Sequence, residues 1–186
     1  MSAATTPLDR ERTTLVVIDM QEKLLPTVFE RERVLRNTIL LMRTARALEI
    51  PIVLTTQYAR GLGATVPQVA REAPGTTPLD KVAFGCLGDE HILLRLASLG
   101  RTQLLVAGIE SHICVAQTVL GALGHHSVVH VASDATGSRA ENNWRVGLAR
   151  MDRAGAVISS AEMAVYELLR RSDGEAFRKI LPLLKG

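Results

Sequence analysis

Three side chains able to do covalent chemistry on a carbonyl stand far apart in this chain: Cys114 in VAGIESHICVAQTVLGAL, Asp19 closing the apolar run TTLVVID, and Lys81 in PLDKVAF. The cysteine follows an apolar run and sits where a helix pattern begins. A thiol there lies near unpaired backbone N–H groups and the positive end of the peptide dipoles, which favour thiolate and can hold a developing oxyanion. A nucleophilic thiol also needs a base to take its proton and a cation to hold its charge. Asp19 and Lys81 are the right types. An ordinary thiol, with a pKa of about 8.5, is only a few per cent ionised at pH 7, so this chemistry predicts a Cys114 pKa lowered by about two units. Each residue has a plain alternative as well: a carboxylate after a strand caps a helix, a loop lysine is solvated, and a lone cysteine fills core.

The elements that must bring these residues together are short apolar runs alternating with helical patterns. Strands are expected at Thr14–Ile18, Ile52–Thr55, near Val82–Phe84, Gln103–Ala107, Val128–Val131 and Ala156–Ile158. Most lack polar alternation, which suits a parallel sheet covered on both faces. Val34, Thr38, Leu41, Ala45 and Leu48 form one helical stripe that must end before Pro51. Further helices are expected at Asp89–Leu99, Ile113–Leu123, Ala140–Arg153, Ala161–Arg171 and Gly174–Leu184. This alternation predicts an α/β fold, a three-layer α/β/α sandwich. The carboxyl ends of its strands gather along one edge, where Asp19, Lys81 and Cys114 would meet.

The chain has 186 residues, 47% of them hydrophobic, enough for one sizeable core. Residues 1–11 read as a loose lead-in and 12–186 as a single domain. Net charge is +3, but the basic residues are scattered among acids, and only six aromatics are available to stack on bases, which argues against a nucleic-acid partner. Two cysteines, Cys86 and Cys114, cannot build a disulfide framework, and no apolar run approaches the roughly 18 residues needed to span a bilayer. The expectation is a cytoplasmic protein without a membrane partner.

Four segments in order, VVIDMQEKLLP, TTQYARGLGATVPQV, LDKVAFGC and LLVAGIESHICVAQTVLGAL, resemble the isochorismatase-like cysteine hydrolases, in particular their isochorismatase domain-containing branch. The resemblance runs from Thr14 to Leu184. It implies a six-stranded parallel sheet of order 3-2-1-4-5-6, an Asp-Lys-Cys triad at Asp19, Lys81 and Cys114, and a cis peptide at Ile109–Glu110 that turns N–H groups toward a substrate oxygen. It also implies a homo-oligomer, a small-molecule substrate, and Gln57 and Tyr58 as pocket residues. Metal-dependent nicotinamidases of this superfamily carry an Asp-x-His motif after the second strand, where this chain has TTQYARGLG. Possession of Cys114 therefore points to hydrolysis of a small amide or related acyl substrate through a thioester, without a metal or other cofactor. The alternatives are a nicotinamidase-like amidase and a non-catalytic binding or scaffold protein on the same fold.

Several neighbours carry two readings each. Gln21 lines the pocket or bonds backbone, and Phe84 walls the site or fills core. His112 rivals Asp19 as base, while His125 and His126 read as exposed turn residues. Cys86 reads as inert, Asp134 as a cap or brace, and Trp144 as core.

Overall fold

The computed structural model describes residues 5–125 and 127–184 of the chain, so residues 1–4, His126 and the last two residues lie outside it. Six parallel strands form one sheet in the order β3-β2-β1-β4-β5-β6. They are β1 Thr13–Ile18, β2 Ile52–Gln57, β3 Leu79–Lys81, β4 Gln103–Ile109, β5 Val128–Gly137 and β6 Val157–Ser159. The helices are α1 Arg31–Ala47, α2 Ala59–Leu62, α3 Pro67–Ala70, α4 Glu90–Ser98, α5 Ala116–Gly124, α6 Glu141–Arg153, α7 Ala161–Leu169 and α8 Glu175–Leu184. All six residues of β1 are buried because it is central and covered on both sides. Leu15 and Val17 face a core built with α1, α7 and α8, whereas Val16 and Ile18 face a second core built with α4, α5 and α6. This is the three-layer arrangement that the apolar runs predict.

Three expectations are corrected. The third strand ends at Lys81 instead of starting after it, pairing Gln57 with Lys81. Val82 and Phe84 are 74% and 54% exposed, so their apolar character marks neither a strand nor core. The fifth strand runs on to Gly137, its register against β4 shifting between Val106 and Gly108. The lead-in is docked over residues 5–11: Leu8 is fully buried, its N–H donating to Glu167 (2.9 Å), and the Asp9 N–H donates to Gln103 (2.8 Å).

The β4 end is tightly fitted. Gly108 has φ +113°, and a Cβ there would lie 2.1 Å from the Ile18 carbonyl oxygen, so only glycine lets β4 end against β1. The next peptide bond but one, Ile109–Glu110, is cis. A single π-type turn, Ser111–Val115, then delivers Cys114 just before α5.

Candidate active site

The site is assembled at the carboxyl ends of β1, β2, β3 and β4. Asp19 leaves β1 in the left-handed region (φ 52°), a conformation that aspartate tolerates better than most residues. Its side chain is fully buried. Oδ2 lies 2.8 Å from Lys81 Nζ, and Oδ1 accepts a 2.8 Å hydrogen bond from Thr55 Oγ1. Lys81 Nζ donates in addition to Gln57 Oε1 (2.6 Å) and to the Phe84 carbonyl (3.1 Å). An ammonium has three protons, so this buried cation is saturated by one charge and two dipoles.

Gln57 is the hub. Its Oε1 also accepts from Cys114 Sγ at 3.9 Å, and its Nε2 donates to the Val82 carbonyl (3.0 Å). Asp19, Lys81, Gln57 and Cys114, four residues from four strand ends, thus form one buried network in which Cys114 is 6% exposed.

The ionisation of the thiol departs from expectation. Burial pushes the Cys114 thiol up, and the Asp19 charge pushes the same way. The Lys81 charge opposes them, a hydrogen bond to Asp19 again raises the value, and the outcome is a thiol pushed up to about 12. A carboxylate and an ammonium side by side cancel much of each other's field, so the lysine cannot offset desolvation. The resting Cys114 is a neutral thiol beside a carboxylate. Burial likewise raises the fully buried Cys86, whose N–H donates to Thr118 Oγ1 (2.9 Å), in keeping with an inert thiol.

The other predicted residues divide. Gln21 is fully buried, and its amide is spent on backbone: Nε2 donates to the carbonyls of Gln57 (3.1 Å) and Gly63 (2.7 Å), while Oε1 accepts from the Gln57 N–H (2.8 Å). It is a brace and not a pocket wall, because no polar atom is left over for a ligand. Tyr58 and Phe84 flank the network with rings 51% and 54% exposed. Ile109 is buried in core, and the Glu110 carbonyl anchors the Cys114 turn by accepting from the N–H groups of Ile113 (3.0 Å) and Val115 (3.2 Å). His112 does not serve the thiol: its ring nitrogens contact Ser138 Oγ (3.0 Å) and Asn143 Nδ2 (3.4 Å). Asp134 caps α7, accepting the Ala161 N–H (2.7 Å). Trp144 is half-buried, donating to the Ser133 carbonyl (3.0 Å) beneath the Arg33 guanidinium, which lies 5.1 Å from the ring centroid. His125 is exposed.

Two partners escaped sequence reasoning. Thr55 had a signal, since it precedes Gln57 by two on one strand and so shares its face. The Glu110 carboxylate had none: it is held by Arg139, 29 residues away, at 2.6 Å from Nη2. Among the described residues no group of three or more His, Cys, Asp and Glu side chains is placed to hold a metal ion. No helix among them is long and apolar enough to cross a membrane.

Chemically, the network pairs a thiol with a base that already has its counter-ion. Comparison with known proteins places the chain in a family. The isochorismatase domain model matches residues 13–163. The chain is 34% identical to the secreted isochorismatase effector Isc1 of Phytophthora sojae, over all of this chain and 91% of that one. It is 33% identical to isochorismatase domain-containing protein 2 of Danio rerio, over 95% and 89%. Among solved structures, MAR1 ribonuclease of Caenorhabditis elegans superposes with a TM-score of 0.91 at 29% identity, covering 97% of this chain and 93% of that one. The Escherichia coli ycaC product, described as an octameric hydrolase of unknown specificity, gives 0.91 at 25% identity, covering 96% and 89%. The chain belongs to the isochorismatase domain family.

Proposed function

We propose that the protein is a cysteine hydrolase that cleaves a small amide or related acyl substrate through a thioester on Cys114. The observation that carries this reading is the shared Gln57 Oε1, which ties the Cys114 thiol to the same buried Lys81 that pairs with Asp19. Family membership supports a hydrolase, and the sulfur supplies the covalent route.

The raised thiol pKa dictates the order of events. As a carbonyl carbon approaches Sγ, the S–C bond forms while the thiol proton passes to Asp19. Negative charge then appears on the substrate oxygen instead of on buried sulfur. Backbone N–H groups of the Glu110–Cys114 turn are the candidate oxyanion donors. Asp19 next returns its proton to the leaving nitrogen as the C–N bond breaks, leaving a thioester. Water, deprotonated by Asp19, cleaves the thioester and restores the thiol. Lys81 holds the carboxylate in place through both half-reactions, and Gln57 aims the thiol.

Both cysteines are free, and the chemistry needs Cys114 reduced, which fits a reducing compartment such as the cytoplasm. A homo-oligomer is the assembly we infer, in line with the octameric neighbour. The nematode neighbour's name raises ribonuclease activity as a second reading. The exposed side chains beside the network, Tyr58, Val82 and Phe84, carry no positive charge to pair with a phosphate. Hydrolysis of a panel of small amides and of a generic RNA, each with a Cys114→Ala control, decides between them. Cys114-dependent amide turnover is expected; RNA cleavage without amide turnover would refute the amidase.

A further inference from the structure

The sequence of contacts around Glu110 gives this residue two jobs. Its carbonyl is the first acceptor of the turn that carries Cys114, bonded by the N–H groups of Ile113 and Val115. Its carboxylate points the other way, into the segment between β5 and α6. There Oε2 accepts the backbone N–H of Arg139 (2.8 Å), and Oε1 accepts Arg139 Nη2 (2.6 Å). Arg139 Nε lies 3.1 and 3.2 Å from the two oxygens. Desolvation pushes the Glu110 carboxyl up, but the Arg139 hydrogen bonds and charge outweigh it and hold the pKa below the usual range.

We propose that the Glu110–Arg139 pair positions the nucleophile, fixing the turn that sets Cys114 Sγ against Gln57 and Asp19. An ordinary surface ion pair contributes little and fixes nothing. This one differs because the Glu110 side chain is only 8% exposed and the guanidinium engages both oxygens. Planar two-point binding sets direction as well as distance. Losing it leaves a buried carboxylate short of donors, so the turn must shift to hydrate it. The remaining supports of the turn carry no charge pair: Thr118 Oγ1 of α5 donates to the Cys114 carbonyl (2.7 Å). His112 reaches Ser138 Oγ (3.0 Å), and Gly147 of α6 abuts the backbone, where a Cβ would lie 3.0 Å from Ser111 carbonyl carbon and oxygen. Because the bond is to the same residue whose carbonyl starts the turn, any rotation of Glu110 moves Cys114 directly.

The idea rests on the hydrolase reading for its purpose, but its test reads the thiol itself. Cys114 alkylation by iodoacetamide is followed at pH 7.5 by peptide mass spectrometry in wild type, Glu110→Gln, Arg139→Met and Arg139→Lys, with Cys86 as internal gauge of an intact core. A displaced turn hydrates the thiol, and each unit by which its pKa falls multiplies the thiolate about tenfold. Because thiolate nucleophilicity falls with pKa, Cys114 of Arg139→Met should label about threefold faster than wild type for each unit lost, while Cys86 stays unlabelled. Arg139→Lys, which keeps the charge without the fork, should fall between. Any amide turnover should drop in kcat with KM held. Wild-type labelling rates in Arg139→Met and Glu110→Gln, even with a lowered Tm, would overturn the proposal. Should Arg139→Met expose Cys86, the decision passes to Arg139→Lys, where a wild-type rate overturns it. Absence of any amide turnover in wild type would sink the hydrolase reading and leave the labelling result standing.

Discussion

Replacing Asp19 by Asn should make Cys114 more reactive toward an alkylating agent and less able to catalyse hydrolysis. In the resting site the thiol is pushed up to about 12, first by burial and then by the Asp19 charge. At pH 7.5 that leaves on the order of 1 thiolate in 30,000, against about 1 in 10 for an ordinary thiol. Unit charges about 4 Å apart interact by roughly 4 kcal/mol at an effective dielectric constant of 20, or about 3 pKa units. Asn keeps the shape and an acceptor for Thr55 Oγ1 but removes the charge, leaving Lys81 Nζ to favour thiolate unopposed. Thiolate nucleophilicity falls with pKa at a slope of about 0.4–0.5, so the net gain in rate is one to two orders of magnitude. The assay is iodoacetamide labelling of Cys114 from pH 6 to 10, with Cys86 as the control. The variant loses stability by about 3–5 kcal/mol, because a buried ammonium has lost its counter-ion, so labelling is done well below its Tm. Labelling of Asp19→Asn no faster than wild type at pH 7.5 would refute the reasoning that the carboxylate suppresses the thiol.

Three further outcomes follow from named contacts. Gly147→Ala gains about 1 kcal/mol of helix propensity but drives a Cβ to 3.0 Å from Ser111 backbone, where overpacking costs about 1–3 kcal/mol; Tm should fall, and a rise would show that α6 can shift away from the turn. Burial, against the opposing Glu167 charge and Thr6 carbonyl, lowers the pKa of His130. A lowered histidine pKa means that its contribution is complete above the unfolded value near 6.5 and is lost as pH falls through the folded one. Stability of wild type should accordingly drop from pH 7 to 5 more steeply than that of His130→Gln, and parallel curves would contradict this. Light scattering at micromolar concentration should give a multiple of 20.2 kDa, and a monomer mass would remove the homo-oligomer.

The legible parts of this fold are those where one physical requirement dominates a whole segment. The strands β1, β2 and β4 are buried on both faces, so their apolar runs stand out. β3 is an edge strand of three residues whose apolar neighbours Val82 and Phe84 face solvent, and burial-based reading therefore slid past it. The second half of β5 carries Ser133, Asp134 and Thr136, whose polarity hides a continuing strand. At the site, strand-end position brought Asp19 and Cys114 to one edge, whereas Lys81, read ahead of the third strand instead of at its end, joined them through the family resemblance. The thiol's ionisation was not readable, because its sign depends on how deep the sulfur lies and on which charge is nearer. Nor was the Glu110–Arg139 pair, whose partners share no local pattern and meet only after β5 is laid beside β4.

The central claim is a covalent acyl-enzyme on Cys114. The most direct measurement is intact-protein mass spectrometry after acid quench during turnover of any small amide that the panel identifies, performed with and without prior EDTA treatment. A mass increase equal to the acyl group, mapped to Cys114, absent in Cys114→Ala together with turnover, and unaffected by EDTA, is the predicted result. Turnover that persists in Cys114→Ala, or that is lost in EDTA and returns with zinc, would contradict the account.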